Sequence, residues 1–121
     1  MRVMLVSESG ATREVMRAVL DLLGAEVVEE ASDAQDALSK VTVFGPDLLL
    51  ADWEMPGMNG VSLVREVRRQ GNSTVAILIT AQVEKARVMD AIEAGVNDFV
   101  VLPFTPDFLS SRITETLART A

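Results

Sequence analysis

Residues 48–52 read Leu48-Leu49-Leu50-Ala51-Asp52, an aliphatic run without polar alternation that stops at an acid. A strand with one wet face alternates apolar and polar residues, whereas a strand covered on both faces reads as a continuous apolar run. The same signature recurs outward from this segment. Val3-Met4-Leu5-Val6 and the short Val27-Val28 lie upstream, and Val75-Ala76-Ile77-Leu78-Ile79 and Phe99-Val100-Val101-Leu102 lie downstream. Five strands are implied, with Val27-Val28 the weakest.

Between the runs, apolar residues fall at helical spacing: Val15, Met16, Val19, Leu20 and Leu23; Ala34, Ala37, Leu38 and Val41; Val61, Val64 and Val67; Val88, Met89 and Ile92; Leu109, Ile113 and Leu117. Each such stripe predicts an amphipathic helix with its apolar face on the sheet. Gly24, Gly71 and Gly95 stand where C-terminal caps are wanted. Ser32 with Gln35 fits a capping box, and Thr105-Pro106 fits an N-cap followed by proline at the first helical position. The pattern is (βα)5. Parallel strands need right-handed crossovers, so the expected fold is α/β, a doubly wound parallel five-stranded sheet, with residues 1–121 forming a single domain.

Composition narrows the chemistry. The chain has 121 residues, no Cys and no His, which excludes disulfides, zinc–thiolate sites, cysteine nucleophiles, serine–histidine triads and histidine-ligated metals. Carboxylates, hydroxyls and a few cations remain, and the natural metal is a hard cation held by oxygen. A net charge of −7 and a pI near 4.5 argue against direct binding to nucleic acid or an anionic membrane. The Arg65, Arg68 and Arg69 cluster reads as a solvated helix face, and the six methionines as core and loop packing. No apolar run has the length of a transmembrane span and no signal-peptide core precedes Val3, so a soluble, cytoplasmic protein is expected. Leu48–Asp52 resembles a Walker-B strand, but neither G-x-x-x-x-G-K-[ST] nor G-x-G-x-x-G is present, which leaves a nucleotide hydrolase without its phosphate loop.

In open α/β sheets ligands bind beyond the carboxyl ends of the strands, where this chain carries Ser7-Glu8, Asp52 and Thr80. Asp52 or Thr80 alone fits an ordinary turn. Acids ending two strands at the switch point make a sparse site suited to Mg²⁺, which takes one or two carboxylates plus water and phosphate oxygens. An aspartate beside such a metal can act as a nucleophile toward phosphorus. The Thr80 hydroxyl and the backbone N–H of the small Ala81 could meet a phosphoryl oxygen.

Asp52-Trp53-Glu54-Met55-Pro56-Gly57-Met58-Asn59-Gly60, followed by Thr80-Ala81 and Pro103-Phe104, resembles the response-regulator receiver domains of bacteria, the CheY-like family, and the likeness spans the chain. The resemblance implies the flavodoxin-like strand order 2-1-3-4-5. It implies Asp52 as phosphoacceptor, with Mg²⁺ held by Glu8, Asp52 and the Glu54 backbone carbonyl. Thr80 becomes the switch hydroxyl, with Ala81 beside it, Phe99 takes the place of a switch tyrosine, and Gly60 serves the turn into the third helix. Glu54 and Gln82 hold positions associated with the lifetime of an aspartyl phosphate. A sensor histidine kinase or phosphotransfer protein would supply the phosphoryl group. An output protein would read the face of helix four, strand five and helix five. Such a domain is a phosphoacceptor and not an enzyme, beyond its own phosphotransfer and dephosphorylation.

Two positions depart from the family. Ser7 replaces the first acid of a pair, and Leu102 replaces a lysine that neutralises phosphoryl charge. Adding roughly −1.5 to −2 charges beside Glu8 is then harder, unless Lys85 or Arg87 substitutes. The alternative reading is a degenerate receiver, a protein-binding module that works without phosphorylation.

Overall fold

Short β-branched and aliphatic runs become the strands, and the glycine and proline punctuation ends the helices between them. In the computed structural model, which describes residues 1–120 and leaves the Val27 side chain undescribed, the elements follow in order. They are β1 (Arg2–Val6), α1 (Gly10–Leu22), β2 (Val27–Ala31), α2 (Ala34–Phe44), β3 (Leu48–Asp52), α3 (Gly60–Arg69), β4 (Val75–Thr80), α4 (Lys85–Ala94), β5 (Asp98–Val101) and α5 (Pro106–Thr120). The strands form one parallel sheet in the order β2-β1-β3-β4-β5, as the resemblance implied. β2 is an edge strand and runs on through Glu29, Glu30 and Ala31. Its acids reach solvent at the margin, where Arg13 and Arg17 pair with Glu30 and Lys40 with Glu29. That explains why so little of β2 reads as an apolar run.

Successive side chains of the central strands point to opposite faces and build two cores. Met4, Val6, Leu49, Ala51, Ala76 and Leu78 pack with α2, α3 and α4. Val3, Leu5, Leu48, Leu50, Ile77 and Ile79 pack with Met16, Val19 and Leu20 of α1 and with Leu109 and Ile113 of α5. Burying each of these large aliphatic side chains is worth roughly 1.5–3 kcal/mol. This double cover is why β1, β3 and β4 tolerate no polar alternation.

Local details bear out some expectations and correct others. Gly24, Gly71 and Gly95 all have positive φ at helix C-termini, and the Thr105 hydroxyl accepts from the Phe108 N–H at the head of α5. The cap of α2 is Asp33 and not Ser32: its carboxylate accepts from the Asp36 N–H at 2.7 Å, and Asp36 reaches back to the Ser32 N–H. A carboxylate wins that position because it favours the positive end of the helix dipole.

The stripe Val88, Met89 and Ile92 is only partly the buried face of α4. Ala91 and Ala94 are buried beside the half-buried Val88, while Met89 is 52% and Ile92 62% exposed. Two adjacent stripes shared the helix, and the alanine side is the one buried in the core, where α4 packs on α3. Arg68 is likewise no solvated residue. It donates to the carbonyls of Asn72, Thr74 and Gly95 and to Asn97 Oδ1, and burial pulls its pKa down. Arg69 pairs with Glu66 at the surface.

Candidate functional site

Strand register assembles the site. Val6 pairs with Ala51, which sets Ser7 and Glu8 beside the end of β3, and Asp52 pairs with Ile79, which sets Thr80 on the other side. Residues distant in sequence therefore meet at the carboxyl edge of the three central strands. Gly60 closes this edge from above: its N–H donates to the Trp53 carbonyl at 2.8 Å, and an added Cβ would lie 2.4 Å from the Asp52 carbonyl oxygen. The expected turn role of Gly60 is thus a requirement for close approach. Asn59, unassigned from sequence, caps α3 by accepting from the Ser62 N–H at 2.9 Å. The signal for it, Asn followed by Gly before an apolar stripe, was present.

The Ser7 side chain is fully buried, and its hydroxyl donates to Asp52 Oδ2 at 2.6 Å while accepting from the Ser9 N–H at 3.1 Å. Arg13 braces the Ser7 carbonyl from behind and pairs with Glu30. Asp52 Oδ1 has no protein hydrogen bond among the described residues. Burial, the largest cause, pushes the Asp52 pKa above the usual carboxylate range. The Ser7 hydroxyl opposes the shift, and the charges of Glu8 and Glu54 add to it. Asp52 thus feels both acids.

The Glu54 carboxylate is engaged by two side chains. Thr80 Oγ1 lies 3.1 Å from Glu54 Oε1 and 2.9 Å from the Gln82 carbonyl, two acceptors in reach of one proton, and itself accepts from the Gln82 N–H. Arg87 makes a salt bridge to the same Glu54 oxygen and lies over the Trp53 ring, 4.7 Å from its centroid. Trp53 is buried with Phe99 set edge-on at 6.1 Å. Phe99 is thus half-buried beneath the site, Ala81 and the Gln82 side chain are exposed above it, and Leu102 is 42% exposed with its N–H on the Thr80 carbonyl.

A groove of about 460 Å³ runs beside this cluster, lined by Glu8, Trp53, Glu54, Met55, Pro56, Asn59 and Arg87. Among the described residues no cluster of three or more acids could cage a metal. Beside Asp52 lie the charges of Glu8 and Glu54 and the groove that both acids line, and so sparse a set of carboxylates suits Mg²⁺, which keeps several waters, better than Ca²⁺.

The fold, the carboxylate at its switch point and the hydroxyl on the neighbouring strand define a class of signalling domain. The chain belongs to the response regulator receiver domain family, whose profile matches residues 3–114. It is similar to chemotaxis protein CheY1 of Helicobacter pylori, 36% identical over 116 residues, covering 93% of this chain and 94% of that one. In structure it resembles Vibrio cholerae chemotaxis protein CheY4, with TM-score 0.89 and 26% identity over 95% of this chain and 97% of that one. It also resembles the receiver domain of the response regulator NarL from Mycobacterium tuberculosis, with TM-score 0.90 and 30% identity over 97% and 95% of the two chains. Receiver domains serve two-component signalling between histidine kinases and outputs and are not classical enzymes. Among the described residues no helix is long and apolar enough to cross a membrane.

Proposed function

We propose that this receiver accepts a phosphoryl group on Asp52 from the phosphohistidine of a sensor kinase or phosphotransfer protein in the cytoplasm, with Mg²⁺, and signals through a changed surface. The observation that carries the reading is the half-buried Asp52 carboxylate itself, one oxygen fixed by Ser7 and the other without a hydrogen-bond partner among the described residues. An Asp52 oxygen attacks phosphorus, the N–P bond breaks, and its electron pair stays on the departing imidazole nitrogen, which is then protonated. Glu8, Asp52 and the Glu54 carbonyl would hold Mg²⁺, which when bound supplies positive charge against the phosphoryl oxygens. The Ser7 hydroxyl orients the nucleophile. Thr80 and the Ala81 N–H receive a phosphoryl oxygen, and Glu54 and Gln82 tune hydrolysis by their place above the site.

Output is read on the face of α4, β5 and α5, where Met89, Ile92, Val101, Leu102 and Phe108 expose apolar surface. Phe99, packed on Trp53, links that face to the site. The whole of residues 1–121 acts as one receiver. Intact-mass measurement after incubation with Mg²⁺ and a small phosphodonor or the cognate kinase should show one added phosphoryl group, absent from Asp52→Asn. No adduct from either donor would overturn the reading in favour of a binding module independent of phosphorylation.

A further inference from the structure

Among the described residues, Arg87 is the one basic side chain lining the groove beside Asp52. It stands in the first turn of α4, and its guanidinium is held by the Glu54 carboxylate below and the Trp53 ring at its face. Glu54 Oε1 is also within hydrogen-bond distance of Thr80 Oγ1, so a cation and a hydroxyl converge on one anionic oxygen next to the end of β3. No lysine stands at Leu102 to meet new negative charge, and Glu8, Asp52 and Glu54 already make the edge acidic.

We propose that Arg87 is the phosphoryl counterion of this receiver, exchanging Glu54 for a phosphoryl oxygen when Asp52 is modified; this rests on the phosphorylation proposed above. The exchange is favourable because the Glu54 partner is a solvent-exposed carboxylate, and exposed ion pairs are weak. A phosphoryl group has more charge and two oxygens matched to the guanidinium fork. As Arg87 leaves Trp53, the first turn of α4 follows it, which carries the event from the site to the helix that exposes Met89 and Ile92.

The test titrates Mg²⁺-loaded protein with beryllofluoride, a phosphoryl analogue, using calorimetry for affinity and the single tryptophan for the movement. The expected wild-type result is a saturable change in Trp53 fluorescence. Arg87→Met should weaken binding by about tenfold or more, the loss expected for a charge-assisted contact, and reduce the fluorescence change. Leu102→Lys should restore affinity to Arg87→Met and add much less to the wild type, a non-additivity that a purely structural Arg87 would not produce. Glu54→Gln, which frees the guanidinium, should tighten binding. Unchanged affinity in Arg87→Met with binding abolished in Asp52→Asn overturns the role of Arg87 alone. Should Arg87→Met not fold, weaker or unchanged binding by Glu54→Gln overturns it equally. No binding by wild type, together with no phosphoryl adduct from any donor, overturns the phosphorylation reading and this role with it.

Discussion

At the scale of the residue, Asp52 is held in a state that disfavours its own charge. Its pKa is raised above the unfolded value, so the folded chain binds that proton more tightly than the unfolded chain does. The group's contribution to stability is therefore fully present at acid pH below the unfolded pKa and is lost as pH rises through the raised folded one. In metal-free buffer at neutral pH, Asp52→Asn should raise the urea midpoint. The gain should shrink to nothing as pH falls below the ordinary carboxylate range, which paired unfolding curves would measure. Gly60 makes the opposite case. An alanine methyl would meet the Asp52 carbonyl, a backbone atom that cannot step aside, so Gly60→Ala should cost at least about 1–3 kcal/mol in chemical denaturation. It should also impair the phosphorylation proposed for Asp52, since the strain falls on that residue's own peptide.

Among the elements, α4 departs most from its sequence reading. Met89 and Ile92 have the right spacing for a core stripe, yet the sheet accepts the alanine side. Ile92→Ser should change stability by no more than about 0.5 kcal/mol, whereas Ala91→Leu should cost about 1–3 kcal/mol by overpacking. Equilibrium unfolding of the two variants separates the faces, and an Ile92→Ser loss as large as that of Ala91→Leu would contradict the assignment. β5 and α5 are joined by another pairing invisible to periodicity. Arg112 and Thr116, on consecutive turns of α5, both donate to the nearly buried Asp98 carboxylate. Their i, i+4 spacing was in the sequence, but nothing local said that an acid at the start of β5 would face them. The N-cap of α2 is a smaller case: Ser32 and Asp33 are both cap formers, and the carboxylate, which the helix dipole favours, takes the position.

For the whole molecule, the relevant quantity is how charge at one edge of the sheet is balanced. Mg²⁺ bound by the native state and not by the unfolded chain should raise the melting temperature in proportion to the logarithm of its excess over Kd. Differential scanning fluorimetry with and without Mg²⁺ should show that rise for the wild type and a much smaller one for Asp52→Asn. An equal rise in both would place the cation elsewhere. Ser7 brings no charge to this edge, and its hydroxyl grips Asp52 directly.

The aliphatic runs, the stripes between them and the glycine caps determined the (βα)5 architecture, because burial on both faces and crossover connections allow few other solutions. The acid at the end of β3 and the hydroxyl at the end of β4 were legible for the same reason: strand ends are where such sheets present their ligand groups. What required the tertiary structure was partnership. Ser7 on Asp52, Arg87 on Glu54 and Trp53, and Arg68 on the loop carbonyls are contacts between segments whose separation in sequence carries no periodic signal. Periodicity reports which residues are apolar and share a face, while the direction of a long charged side chain depends on the groups that desolvate it. Those groups come together only when the sheet forms.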